Sequence, residues 1–295
     1  MAKRRAAADI DTSALLPPRD ELIATIDRWL AEDIGRGDIT TRYMVPKGAR
    51  ARLALNTRHD VVVCGIDVAG MVFKRRLPEC DWRVVAPDGT RAKKGALLAR
   101  VTGPAQGLLE AERTALNVLQ LLTGIATLTA RYADLVKGTG AQLIDTRKTI
   151  PGYRQLSKYA TVIGGARNHR MRLDDGILLK DNHIAICGSI AAAVARAKAL
   201  TPTLTKIEVE CDRLDQVKEA LAAGADTILL DNMDAATMKK AVQMVDGRCE
   251  LEASGGITLE TIREKALSGV DYISVGRMTQ SAPAADIGLD VDIAT

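Results

Sequence analysis

The stretch DTRKTIPGYRQLSKYATVIGGARNHRMRLDDGILLKDNH, Asp145 to His183, holds eight Lys or Arg against four Asp, and two of the chain's three histidines. Two short apolar runs, AQLIDT (141–146) and GILLK (176–180), open and close it. Each is bounded by Gly and ends in a charged or polar residue, the way buried parallel strands deliver groups to a site. Working outward, the unit recurs as KIEVEC (206–211), TILLD (227–231), ELEAS (250–254) and YISVG (272–276), with Ala-, Lys- and Glu-rich helical segments between most of them. Strand and helix alternating in this way predict a parallel sheet with right-handed crossovers. Six strands make an incomplete α/β barrel, short of the eight of a closed one.

The basic groups of this stretch bunch as Arg147-Lys148, as Arg167 with His169-Arg170-Arg172, and as Lys180. A basic run is often a solvated surface. Placed at the carboxyl ends of strands, where α/β barrels build their sites, the same cations face a pocket for an anion. Those strand ends also carry Asp145, Glu210, Asp231, Glu252 with Ser254, and Gly276.

The 295 residues suffice for two domains with sizeable cores. A hydrophobic content of 47% without any apolar run near the roughly 18 residues of a membrane span predicts a soluble protein. The net charge of +4 is mild, and 3% aromatic content offers no stacking platforms for single-stranded nucleic acid, so small anions are the expected partners, with neither nucleic acid nor membrane. Five scattered cysteines without CxxC spacing signal neither a disulfide framework nor a zinc site, which fits a reducing cytoplasm. MAKRR opens the chain like a signal peptide, but Asp9 and Asp11 interrupt the following stretch. Residues 1–17 read as a loose tail.

DELIATIDRWLAED repeats Leu22, Ile26, Trp29 and Leu30 at helical spacing, and Gly35 follows as a stop. ARLALN, DVVVCG and DWRVV then read as strands, with IDVAGMVFKRRL as a helix among them. This half is a small α/β sandwich domain over 18–115, completed by 280–295, and the barrel occupies 116–279. Between strands and barrel, residues 104–137 form a long apolar helix in which Arg113, Asn117 and Gln120 share one face. That face is either a solvent edge or a functional strip, and Gly124 allows a break or a close backbone approach.

Three constellations stand at the strand ends. ASGGIT (253–258) and SVGRMT (274–279) put Gly255, Gly256 and Gly276 in turns that are either plain tight turns or amide-rich phosphate seats at a helix N-terminus. Glu210 and Asp231 end neighbouring strands, as surface acids or as a pair for Mg²⁺ or sugar hydroxyls. His169 and His183 lack metal-ligand spacing and suit hydrogen-bonding roles. Lys180, at the end of its strand, is a charge or a Schiff-base lysine of the aldolase type.

In order, ERTALNVLQLLTGIAT, DTRKTIPGYRQLSKYA, IGGARNHRM, ILLKDNH, IEVEC, LLDNM, LEASGGI and ISVGR resemble the quinolinate phosphoribosyltransferases, the carboxylating nicotinate-nucleotide diphosphorylases, from about residue 20 to residue 280. The resemblance implies transfer of phosphoribosyl from phosphoribosyl pyrophosphate to quinolinate with Mg²⁺. Nicotinate mononucleotide, pyrophosphate and CO2 are the products, on the way to NAD. It implies that Arg147, His169, Arg170 and Lys180 grip the quinolinate carboxylates, with Thr146 beside them and Lys148 neutralising pyrophosphate or developing charge. It further implies that Glu210 and Asp231 hold ribose hydroxyls and the metal, that Ser254, Gly255, Gly256, Gly276 and Arg277 seat the 5'-phosphate, and that Arg113 reaches the neighbouring site of a homodimer, which higher assembly can extend. Lys148, Glu210 and Asp231 are then the catalytic residues.

The chain departs from the family pattern at Arg172, where glycine is expected, followed by Asp174-Asp175. A molybdenum-utilisation homologue of the same fold is the nearest competing reading, and a barrel aldolase using Lys180 comes from another class.

Overall fold

The computed structural model describes residues 12–291, and the chain divides into two compact units. The first holds residues up to 128, then 155–164 and the C-terminal stretch from 282; the second holds 129–154 and 165–281. The expected loose tail lies mostly outside the described residues. Within it, Thr12–Leu15 forms a 3-10 helix, and Gln155 Nε2 donates to the Leu16 carbonyl at 3.1 Å.

The first unit opens with α1 (Arg19–Ile34), which buries Leu22, Ile26 and Leu30 and stops at Gly35 as its spacing requires. Next come α2 (Ile39–Met44), β1 (Arg50–Thr57), β2 (Val61–Val62), α3 (Ile66–Arg76), β3 (Asp81–Val84), β4 (Arg91–Ala92) and β5 (Leu97–Pro104). An antiparallel sheet of β1, β5, β3 and the C-terminal β12 (Ile287–Val291) runs in the order β12-β1-β5-β3. Alternation along β1 buries Leu53, Leu55 and Thr57 on one side. DVVVCG yields only the two-residue β2, paired with β4, although Val61–Cys64 are all buried. Trp82 of β3 stacks on Phe73 of α3 with centroids 5.5 Å apart. Gly70 permits this, since a Cβ there would lie 2.5 Å from Trp82 Nε1.

The long helix α4 (Ala105–Val136) runs unbroken through Gly124, so of the two readings of that glycine the close approach holds: its Cβ would fall 2.1 Å from the Pro283 carbonyl oxygen. After β6 (Gln142–Ile144), α5 (Arg154–Ile163) belongs to the first unit, where Tyr159 Oη donates to Asp88 Oδ2 at 2.6 Å.

The second unit is α/β. Its remaining elements are β7 (Ile177–Leu179), α6 (Asp181–Cys187), α7 (Ile190–Leu200), β8 (Ile207–Cys211), α8 (Leu214–Ala223), β9 (Thr227–Asp231), α9 (Ala235–Val245), β10 (Glu250–Ser254), α10 (Ile262–Ala266), β11 (Tyr272–Ser274) and α11 (Arg277–Gln280). The six strands pair in parallel in the order β6-β11-β10-β9-β8-β7, each at the place the sequence pattern predicts. β6 and β7 are the two edges. The outer edge of β6 is met by Arg167, whose amide donates to Leu143 and whose carbonyl accepts from Asp145. One cavity is lined from the ends of all six strands, which a flat sheet cannot do, so the sheet curls into an incomplete barrel.

Candidate active site

The cavity at the carboxyl ends of the second unit's strands has a volume of about 560 Å³. Thr146, Arg147, Lys148, His169, Arg170, Lys180, Glu210, Asp231, Ser254, Gly255 and Gly256, all expected from the sequence, line it together. The cations are aimed by short-range bonds. Thr146 Oγ1 accepts the Lys148 amide at 3.0 Å, and Thr279 Oγ1 donates to the Lys148 carbonyl at 2.7 Å, tying the turn after β6 to α11. Arg170 donates one guanidinium hydrogen to the Gly176 carbonyl at 2.8 Å; burial, then the charge of Arg147, lowers its pKa, though a guanidinium stays protonated. Arg147 Nε is buried without a partner among the described groups, a donor set for a carboxylate.

Asp145 ends β6 but does not face the cavity. It is fully buried, accepting Asn168 Nδ2 at 2.6 Å and the His169 amide at 2.9 Å, so it pins the ARNHR segment to the end of β6. His169 in turn points its Nε2 at Glu208, 2.9 Å away, and lies 3.4 Å from Glu252. His183 sits elsewhere, its Nδ1 accepting the Lys180 amide at 3.0 Å at the start of α6. Lys180 Nζ pairs with Glu210 across adjacent strands.

The glycine turn differs from expectation in its helix. α10 begins only at Ile262, so the amides of Gly255 and Gly256 belong to the turn itself and not to a helix N-terminus, whereas Gly276 caps the four-residue α11 as expected. Gly255 and Gly256 both adopt left-handed φ, +85° and +61°, and a Cβ on Gly255 would lie 2.2 Å from Asn232 Oδ1. Asn232, itself left-handed at φ 55°, donates its amide to the Ser254 carbonyl and its Nδ2 to Asp231 Oδ2 at 2.7 Å. Lys265 reaches the Gly255 carbonyl at 3.3 Å, and burial lowers its pKa. Gly276 packs against Lys148, with 2.9 Å between its built Cβ and Lys148 Cδ. Arg277 is exposed and does not line the cavity.

Asn232 and Lys265 are the contributors that sequence reasoning passed over, together with Ser274, whose hydroxyl donates to Ser254 at 3.0 Å; Glu208, which shares a strand side with Glu210, was seen but given no role. Glu208 and Ser274 each stand two residues from a group already selected on the same side of a strand, so period-two alternation was a usable signal. Lys265 had none. The departure at Arg172 points outward: its guanidinium pairs with Asp174 at the surface, while Asp175 accepts the Met171 and Arg172 amides and closes the loop on itself. In the first unit, Arg113 and Asn117 are exposed on α4, and Gln120 Nε2 donates to the Ile287 carbonyl at 2.8 Å.

The family description "Quinolinate phosphoribosyl transferase, N-terminal domain" matches residues 38–123, and the corresponding C-terminal domain matches residues 125–290. The chain belongs to the quinolinate phosphoribosyltransferase family. It is 44% identical over 273 residues to the nicotinate-nucleotide pyrophosphorylase [carboxylating] of Mycobacterium leprae, covering 90% of this chain and 96% of that one. Among solved structures, the nicotinate-nucleotide pyrophosphorylase of Francisella tularensis is similar with a TM-score of 0.90 and 37% identity, over 94% of this chain and 98% of that one. That of Ehrlichia chaffeensis is similar with a TM-score of 0.88 and 42% identity, over 94% and 99%.

Proposed function

We propose that this protein is a carboxylating nicotinate-nucleotide pyrophosphorylase, joining quinolinate to phosphoribosyl pyrophosphate and releasing CO2 and pyrophosphate. Membership of the family supports the reaction, and one observation carries it to this chain: Arg147, Lys148, Arg170 and Lys180 converge on one cavity whose acids, Glu210 and Asp231, stand beside a glycine turn. Two polyanionic substrates demand such a density of cations, and Arg forks match carboxylates.

In this reading Arg147 and Arg170 orient the quinolinate carboxylates and Lys180 adds charge. The amides of Gly255 and Gly256 with the Ser254 hydroxyl receive the 5'-phosphate, and Lys148 faces departing pyrophosphate. Glu210 and Asp231 hold the ribose and offer the hard oxygen donors that Mg²⁺ takes, which is the fit expected of a cation travelling with pyrophosphate. Bound there, Mg²⁺ neutralises charge on the leaving group. The ring nitrogen then attacks an oxocarbenium-like ribose carbon, and the pyridinium formed stabilises the electron pair left when CO2 departs. Positioning and electrostatics supply most of the catalysis.

The protein works as a homodimer in the cytoplasm, with exposed Arg113 serving the neighbouring subunit's cavity. Among the described residues, no single helix is long and apolar enough to cross a membrane. An aldolase reading requires a neutral Lys180 amine, whereas Lys180 is ion-paired with Glu210. Supplying Mg²⁺ and phosphoribosyl pyrophosphate with either quinolinate or nicotinate tests the assignment. Nicotinate mononucleotide should form from quinolinate alone, and comparable turnover of nicotinate overturns the decarboxylating reading.

A further inference from the structure

Two buried carboxyl groups have no part in the reaction as described so far. Glu208 of β8 and Glu252 of β10 converge on one edge of His169, with Nε2 at 2.9 Å from Glu208 Oε2 and 3.4 Å from Glu252 Oε2. Glu208 is 7% exposed and Glu252 2%. Glu208 Oε1 finds no hydrogen-bond donor among the described groups.

The ring brings a single proton to this cluster. Nδ1 accepts the Arg170 amide N–H at 2.7 Å, so it carries no hydrogen, and the ring proton sits on Nε2. The same geometry sets aside a metal, although the three groups lie close enough to hold one. A cation on Nε2 needs that lone pair and a hydrogen on Nδ1, which the Arg170 amide opposes.

A neutral ring leaves two carboxylates in a buried place, and closely paired buried acids cannot both ionise. Burial alone would lower the His169 pKa; the hydrogen bonds to Glu208 and Glu252 outweigh it and push it up to about 10. Burial pushes the Glu252 carboxyl up to about 7, against the pull of His169. The cluster therefore holds one proton more than a neutral ring with two carboxylates. With Nδ1 already taken by the Arg170 amide, that proton belongs on the more buried acid, Glu252.

Glu252 and His169 line the cavity in which Arg147, Arg170 and Lys180 meet, and both also line a second cavity of about 300 Å³ into which Glu208 projects. A neutral carboxyl therefore faces the place where the substrate carboxylates are held, and an ionised one would repel them.

We propose that Glu252 is the acid that protonates the pyridine carbon vacated by CO2, an inference that rests on the decarboxylating reaction assigned above. The bond from C2 to its carboxylate breaks, the electron pair stays on C2, and CO2 leaves. The Glu252 O–H bond then breaks, its proton forms the new C2–H bond, and the Glu252 carboxylate is left beside the His169 Nε2–H. Water returns a proton to Glu252 after the product departs.

The test is turnover in an equal mixture of H2O and D2O, with the hydrogen-to-deuterium ratio at C2 of the product read by mass spectrometry for the wild type and for Glu252→Gln. Glutamine keeps the shape and hydrogen-bonding capacity but has no acidic proton to give. The expected result is a changed ratio together with a fall in kcat on the order of 10²-fold. An unchanged ratio overturns the inference, whatever the turnover, because the donor is then not Glu252. Absence of decarboxylated product from the wild type overturns the underlying reaction instead, and the inference falls with it. Should Glu252→Gln not fold, the infrared spectrum of the wild type below neutral pH must contain the carbonyl stretch of a buried protonated carboxyl; its absence overturns the inference equally.

Discussion

Lys180 Nζ lies 2.5 Å from Glu210 Oε2, so a residue assigned to a substrate carboxylate and one assigned to the ribose hold each other across adjacent strands. Quinolinate must compete with Glu210 for Lys180. Since the lysine is nearly half exposed, the pair is worth less than about 1 kcal/mol. Glu210→Gln is therefore expected to bind quinolinate as well as the wild type or up to about fivefold more tightly, while turnover falls by about 10²-fold or more. Calorimetry with quinolinate alone, beside steady-state kinetics, checks both halves. Weakened quinolinate binding would contradict the competition.

Arg147 has an unpartnered Nε, and Arg170 spends one donor on the Gly176 carbonyl. Replacing either with alanine removes charge-assisted hydrogen bonds worth about 1.5–3 kcal/mol. The quinolinate Kd should rise by roughly 10- to 150-fold in each variant, with phosphoribosyl pyrophosphate affinity little changed. Equal losses for both ligands would mean that these arginines do not form the carboxylate grip.

Gly255→Ala puts a Cβ 2.2 Å from Asn232 Oδ1 at a left-handed φ of +85°. Strain of about 1–3 kcal/mol should open the turn and raise the KM for phosphoribosyl pyrophosphate. Gly247→Ala shares the left-handed backbone but meets open space. It should lose stability without a KM effect. Matching KM values for the two variants would detach the turn from the phosphate.

The pH dependence of stability follows from Glu252, whose folded pKa is raised by burial from 4.5 to about 7. The folded state then binds the proton more tightly than the unfolded chain. Its contribution is fully present below about pH 4.5 and is lost as the pH rises toward about 7. The Tm of the wild type relative to Glu252→Gln should accordingly decline across that window and level off above it. A flat difference in thermal scans would show that Glu252 is ionised throughout.

If Arg113 serves the neighbouring subunit, Arg113→Ala and Lys180→Ala proteins are each nearly inactive but complement one another. Random re-pairing makes half the dimers mixed, and each mixed dimer has one site free of both lesions, so about a quarter of wild-type sites return. Demonstrated subunit exchange without recovered activity would exclude a shared site.

Local sequence was enough for the second unit's strands. Six largely apolar runs, most with a charged or polar residue at the end, were legible because burial on both faces favours Val, Ile and Leu, and parallel pairing needs only their order and spacing. The cation cluster was legible for the same reason, since a strand's last residue has a determined position even when its neighbours in space are unknown. Gly255 and Gly256 were visible as turns.

What local pattern does not contain is which side chain meets which. Asp145 and Glu210 both end strands as acids, yet one is fully buried beneath Asn168 and the other lines the cavity, because the next segment folds back over β6 but not over β8. Residues 155–164 join the first unit, where Tyr159 meets Asp88, 71 residues away. Glu208 and Glu252 stand 44 positions apart, and nothing near either predicts that one imidazole will lie between them. Sequence alone determined the kinds of residue at the strand ends, because alternation and strand length are local. Tertiary structure alone decided their protons and partners, because burial and charge act between groups that only the curled sheet brings together.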